Sequence, residues 1–337
     1  MGLPIVYRAE TTVRKSCVEE ASVEKRSVEK GTSKERGVAL VIVLGVVALI
    51  SAWAATAAYE DMISLRRAEN LQQSSRAWMA NESALELVRF YLDEDAKDNK
   101  TDHLDETWAQ EIPPLPVDDG LVTGVVIDAN RYFNVNDLVN NNGEVQIDVV
   151  VIAKRLFQTL ELSGSLVDKL IDWMDKNDQP SGIGGAEDFN YYDKPYRVKN
   201  RRLDRWRELS LIDGFDDEVL EKLKDTVTVR RVPKTGKTIV NINTADTTVL
   251  MAFFPRMEAV DAAAFIEQRP YEQVASALAG KPWSTGGDTT RLSVVSDAFI
   301  VRTDALFGSA RWREEYLLIR EADGKTAIEY REKQGWM

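Results

Sequence analysis

Six carboxylates, Asp172, Asp175, Asp178, Glu187, Asp188 and Asp193, lie within 22 residues of one another. Acids at this density suit two kinds of chemistry. They can supply hard oxygen ligands to calcium, which takes about six to eight oxygens at about 2.3–2.6 Å. Alternatively, two of them can act as acid and base in a hydrolase, with carboxyl groups about 5–9.5 Å apart. The hydrolase pairing is the poorer fit, because such pairs usually come from separate elements across a cleft. Here the acids are crowded into one stretch. Asp172 and Asp175 are three apart, so a helix places them on one face. A loop with Gly182, Gly184 and Gly185 can fold Glu187 and Asp188 back over them, and Asn177 can add an amide oxygen. Repulsion among Asp172, Asp175, Asp178, Glu187 and Asp188 would be costly without a cation. The spacing is not that of an EF-hand. The plain alternative is a solvated acidic loop.

Composition narrows the field. The 337 residues include 43 basic and 55 acidic ones, for a net charge of -12. That balance argues against a large nucleic-acid surface. The single histidine, His103, argues against His-rich zinc sites and most histidine catalysis. The single cysteine, Cys17, excludes a disulfide-stapled scaffold.

The elements that must position the acids begin with a membrane segment. Val38 to Ala58 is 21 residues without a charge. As a helix it spans about 30 Å, the thickness of a bilayer core. Lys25, Arg26, Lys30, Lys34 and Arg36 precede it. Basic residues on this short flank favour keeping the N-terminus cytoplasmic and placing the rest beyond the inner membrane. A cleaved signal peptide, cut near Ala54-Ala55-Thr56-Ala57, is the competing reading, but the apolar run is long for one. Tyr59 to Asp95 then has no proline or glycine. Met62, Leu65, Ala68, Leu71, Ser75, Trp78, Leu85, Val88 and Leu92 form a stripe with helical spacing. One helix from about Val38 to about Leu92 is expected, its second half packed on a soluble head.

Further along, Pro113 to Pro116 reads as a surface connection. Leu121–Asp128 and Arg131–Leu138 read as strands. Helices are expected over Val145–Leu162, Ser165–Met174, Asp217–Lys224, Thr247–Phe254 and Ala259–Gln268. Ala298–Leu306, Trp312–Arg320 and Thr326–Arg331 alternate apolar with polar, predicting an antiparallel meander with one wet face. Strands on both sides of a helical block make an α+β molecule, its sheet packed on the long helix.

A basic residue, a glycine and an apolar run leading into an amphipathic helix resemble type IV pilin-like proteins. The resemblance implies cleavage by a prepilin peptidase between Gly37 and Val38, with N-methylation of Val38. It also departs from the major pilins, which carry glutamate five residues after the cut where Ile42 stands here; its absence suits a filament tip. Leu170–Asp175, Asp178, Pro180, Gly185-Ala186-Glu187-Asp188, Tyr191-Tyr192, Arg201-Arg202-Leu203 and Ile239–Ala245 resemble the general secretion pathway protein K family of minor pseudopilins. That resemblance implies a non-enzymatic subunit at the tip of the type II secretion pseudopilus, initiating or capping its assembly. It also implies a structural calcium ion on Asp172, Asp175, Asp178, Glu187 and Asp188. The expected partners are I-like and J-like minor pseudopilins, the inner-membrane assembly platform and the prepilin peptidase, with no nucleic acid. The implied organisation is a leader over 1–37, a transmembrane part over 38–58 and a pilin-like head over 59–139 and 291–337. An α-helical domain over 140–290 interrupts the head. The exported part would lie in the periplasm on a single-pass inner-membrane anchor.

A second resemblance offers a different function. Ile239–Leu278 is similar to helix-hairpin-helix modules, the basis for a membrane-anchored DNA-binding or uptake protein. Its hairpin, Phe254–Glu258, lacks the glycines that let backbone amides approach a phosphate, and Glu258 and Asp261 repel one.

Overall fold

The computed structural model describes residues 33–98 and 100–333. Cys17 and most of the expected leader lie outside them. Helix α1 runs from Ser33 to Asp98. The chain divides into two compact units at Arg66/Arg67. In the first, no residue of the apolar run of α1 is buried, and the run is long and apolar enough to cross a membrane.

The second unit is α+β. Its sheet contains β1 (Ile112–Val117), β2 (Gly120–Asp128), β7 (Ala298–Phe307), β8 (Ala310–Arg320) and β9 (Thr326–Lys333). They lie in the order β1-β2-β7-β8-β9, and all neighbours are antiparallel. Alternation explains the burial. Val126, Phe299, Val301, Tyr316 and Leu318 face α1 and pack on its Leu85, Val88 and Leu92. Further along the same face, Ala77 meets Val122, Ala305 and Phe307. The opposite face is less wet than alternation predicts: Ala129, Ala298, Ile300 and Leu317 form a small core there.

The remaining elements fill the long connection between β2 and β7. They are β3 (Phe133–Asn134), α2 (Ile147–Thr159), α3 (Ser165–Met174), α4 (Asp217–Leu223), β4 (Val227–Thr228), β5 (Val240–Asn241), α5 (Thr247–Phe253), α6 (Ala259–Ile266), α7 (Val274–Leu278) and β6 (Leu292–Ser293). The short strands pair in parallel, β3 with β4 and β5 with β6. The largest hydrophobic core draws all its buried members from between Phe133 and Leu292. The connection leaves and rejoins the sheet at paired positions, Asp128 opposite Phe299. The whole helical block is therefore, topologically, one hairpin loop.

Three readings need correction. Pro113–Pro116 is not a bare connection but part of β1. Proline cannot donate to a ladder and so is tolerated on an edge strand, and β1 is an edge strand whose register slips between Ile112 and Leu115. Arg131–Leu138 is not a strand. Only Phe133-Asn134 pairs as a strand, between two 3-10 turns in which Asp128 caps the amide of Asn130 and Asn134 that of Asn136. The apolar stripe of α1 is not one packing face: Leu85, Val88 and Leu92 are buried, but Leu71 is 69% and Trp78 42% exposed.

Buried polar groups tie the crossing strands to the block. Asp128 accepts hydrogen bonds from Asn130 N (2.7 Å), Ser296 Oγ (2.6 Å), Asn241 Nδ2 (3.2 Å) and the Thr244 hydroxyl. Asn130 donates to Ile239 O and Asp297 Oδ1, and accepts from Ala298 N. Full burial pushes the Asp128 carboxyl up to about 6.

Candidate metal centre

Helix α3 has a strongly apolar face, and Leu166, Val167, Leu170, Ile171, Trp173 and Met174 are buried. The last turn carries Asp172 into the interior on the same side. The helix stops at Asp175, whose backbone is extended and whose amide still bonds Ile171 O at 2.8 Å. The following loop lies close against α3, and its glycines explain how. A Cβ on Gly185 would sit 2.3 Å from Asp172 Oδ2, and one on Gly184 2.3 Å from Ser165 Cβ. Gly182 has φ +57 and passes the carboxylate of Asp168. Only a chain without side chains at these positions passes so near.

This packing brings three of the five predicted acids into the interior. Asp172 and Asp175 are fully buried and Glu187 is 6% exposed. Asp172 Oδ1 accepts from Ser181 N at 2.8 Å, and Asp175 Oδ2 from Asn177 Nδ2 at 2.8 Å. Asp172 Oδ2, Asp175 Oδ1 and both carboxylate oxygens of Glu187 are buried with no hydrogen-bond partner. Four orphaned anionic oxygens in one region are costly, since each unpaired buried polar group carries a desolvation penalty. The titration responds accordingly. Burial, and then the neighbouring acids, push Glu187 up to about 7; burial and then Asp172 push Asp175 up to about 6. Burial also raises Asp172.

The other two predicted acids stand at the rim. Asp178 is exposed and reaches Asn200 Nδ2 at 3.5 Å. Asp188 is exposed, accepts from Val198 N at 3.0 Å and pairs with Arg197 at 3.6 Å. Asn177 spends its amide oxygen on Gln179 N. The donor set is hard, anionic and underpaired, which fits calcium. The predicted acids do not bring three oxygens within 4.8 Å of one another; among the described residues Asp95, Asp102 and Glu106 do.

Sequence reasoning missed that second group, because its members come from the end of α1 and the loop after it. A protein cation already serves it. Arg320 Nη1 lies 2.9 Å from Asp102 Oδ1, and its Nη2 lies 3.1 Å from Asp95. Glu106 accepts from Trp108 Nε1 and His103 N. It is a structural clasp between α1, the loop after it and the end of β8.

The helix-hairpin-helix-like stretch packs rather than presents. Phe254 and Met257 are buried. Phe254 meets Trp283 edge-on at 5.1 Å. At the start of α6 a capping box between Glu258 and Asp261 takes up the backbone amides of both residues.

A long apolar-led helix backed by an antiparallel sheet is the architecture of pilin-like proteins, here with a helical block between two strands of the head. Residues 131–232 and 240–295 match the family described as type II secretion system (T2SS), protein K. The type II secretion system protein K of Pseudomonas aeruginosa is 32% identical over 233 residues, covering 65% of this chain and 68% of that protein. Those of Aeromonas hydrophila and Klebsiella pneumoniae are each 29% identical, over 88% and 87% of this chain and 96% and 94% of theirs. A chain in the crystal structure of the GspK-GspI-GspJ complex of enterotoxigenic Escherichia coli superposes with a TM-score of 0.69 at 25% identity. The match covers 80% of this chain and 100% of that one. The protein belongs to the type II secretion system protein K family, the large minor pseudopilins, a structural component of the secretion apparatus. The DNA-binding alternative is not favoured.

Proposed function

We propose that the protein is the tip subunit of a pseudopilus, joined through α1 to smaller minor pseudopilins, with a structural calcium ion in its helical block. The observation that carries this reading is a second apolar face on α1. Met79, Leu87, Phe90 and Tyr91 are 46–57% exposed, on the side of the helix away from Leu85, Val88 and Leu92. A helix with large apolar side chains on both sides expects another helix on the open one. The solved relative comes from a three-protein complex, which supports I-like and J-like subunits as the occupants. Ile42, standing where the major pilins have glutamate, supports a place with no subunit above, as does the bulk of the helical block. The inner-membrane assembly platform would engage the base of α1.

Asp172, Asp175 and Glu187, with Asp178 and Asp188 at the rim, would hold the calcium. The ion supplies positive charge to oxygens the protein leaves unpaired and ties the end of α3 to the glycine loop. The block performs no chemistry in this reading.

Processing by a prepilin peptidase after Gly37, with methylation of Val38, would leave the apolar run as a single inner-membrane anchor and the rest in the periplasm. Mass analysis of the mature N-terminus tests it. A methylated chain starting at Val38 is expected; an intact Met1 or a start near Thr56 would sink the reading.

A further inference from the structure

Between α3 and α4 the chain turns two large rings out into solvent side by side. Asp188–Tyr191 is a 3-10 turn, in which residues three apart eclipse one another. One side of the turn goes inward. Tyr191 is buried, and its ring meets Trp173 edge-on at 5.5 Å and Tyr196 at 6.1 Å. The Tyr191 hydroxyl accepts from Asp213 N at 3.0 Å, and the Tyr196 hydroxyl donates to Leu211 O at 3.1 Å. The other side goes outward. Phe189 is 84% and Tyr192 83% exposed, with ring centres 6.2 Å apart. These two rings contribute little to folding, because stabilisation scales with the apolar area removed from water. They stand on a base held firmly by packing and hydrogen bonds.

The rings wall an open cleft of about 640 Å³, which Tyr191, Pro195 and Tyr196 complete. Lys194 and Arg197 line it as well, with Asp188. The acid is engaged: Asp188 accepts from Val198 N at 3.0 Å and pairs with Arg197 at 3.6 Å. The Arg197 side chain is nonetheless 85% exposed. Lys194 is exposed and forms no ion pair among the described residues. In a chain of net charge -12, this cleft is aromatic with a net positive rim.

We propose that the cleft docks a second protein through a short extended segment, one that carries an aromatic or branched apolar side chain flanked by Asp or Glu. The apolar side chain packs against Phe189 and Tyr192, and the flanking acids meet Lys194 and Arg197. Tyrosine, phenylalanine and arginine are the residues on which interface cores are built, and opposite charge on the partner fixes the register. A free small molecule fits less well, since such sites enclose most of their ligand and this one is open along both rings. A lipid surface also fits less well. Asp178, Asp188 and Asp193 are exposed on the same segment and repel anionic headgroups. The cleft belongs to the helical block and is separate from the open side of α1.

The test pans a phage-displayed library of random peptides against the full chain in lipid nanodiscs with calcium present. Counter-selection uses the Phe189→Ser, Tyr192→Ser double variant. Enriched peptides are expected to share an apolar residue beside Asp or Glu. The most enriched one, resynthesised with fluorescein, should bind the native chain by anisotropy and the ring variant about tenfold or more less tightly. Lys194→Glu with Arg197→Glu should weaken it about tenfold as well, and raised salt should weaken the native complex. Both double variants should keep the native melting temperature, since all four side chains are exposed. If the ring variant does not fold, counter-selection and comparison pass to the charge-reversed chain. The absence of an enriched consensus, a basic consensus, or undiminished binding to both variants overturns the proposal. Co-sedimentation of the nanodiscs with vesicles of phosphatidylcholine and phosphatidylglycerol, lost in the ring variant, would assign the surface to lipid and overturn it too.

Discussion

At the scale of single residues, the informative atoms are those without partners. Asp172 and Glu187 are buried like core residues, yet they leave oxygens unbonded. This makes a signed prediction about pH. In the calcium-free protein, Asp175 titrates near about 6 and Glu187 near about 7, above their ordinary values of 3.8 and 4.5. The folded state therefore keeps protons that the unfolded chain has released. Stability must fall as pH rises from about 4 through about 7. Calcium requires ionised carboxylates, so its stabilising effect must grow over the same range. Thermal melts at pH 5.5 and 7.5, with chelator and with calcium, check both signs. A calcium-free protein more stable at the higher pH would contradict the arrangement. Glu187→Gln removes one repelling charge and one ligand together. It is expected to melt higher than the native protein in chelator, but to gain little from calcium. A full calcium shift in this variant would remove Glu187 from the site.

At the scale of elements, α1 carries two different apolar surfaces and they should fail differently. Leu85→Ala opens a cavity between the helix and the sheet, and should cost about 2–5 kcal/mol of stability. Replacing Phe90 and Tyr91 with serine touches only the exposed side. It should leave stability within about 0.5 kcal/mol while reducing co-purification with the smaller minor pseudopilins. Pairing that survives the double replacement would move the interface elsewhere. The stripe could be read from spacing alone, because helical periodicity is a local property. Which of its residues meet the sheet could not, because that depends on where the sheet begins along the helix. Ala77 is the first residue to be covered.

At the scale of the whole second unit, the block is held to the head by two neighbouring strands and a buried polar joint around Asp128 and Asn130. The proposed calcium site lies in the block, and the sheet has cores of its own. Chelation is therefore expected to loosen the loop after α3 first. Limited proteolysis in chelator should cut between Lys176 and Lys199 while the sheet remains protected; uniform degradation would show that the ion supports the whole unit.

Much of this was legible in the chain itself. An uncharged run of 21 residues determines a helix long and apolar enough to cross a bilayer, because length and hydrophobicity are local properties. Alternation placed β7, β8 and β9 within a few residues of their observed ends, since an antiparallel meander pairs sequence neighbours. Helix α3 and the glycine loop were visible for the same reason: their signals are local. The acids to suspect were also written in the sequence. Only the tertiary structure decided which of them are buried. Asp172, Asp175 and Glu187 go inside because α3 turns its apolar face to the core and three glycines let the loop close over it. Asp178 and Asp188 stay at the rim. The Arg320 clasp and the Asp128 joint left no trace in the sequence. Their members lie scores of residues apart, and what unites them is the charge and hydrogen bonding of groups that meet only when β2 and β7 close the long connection between them.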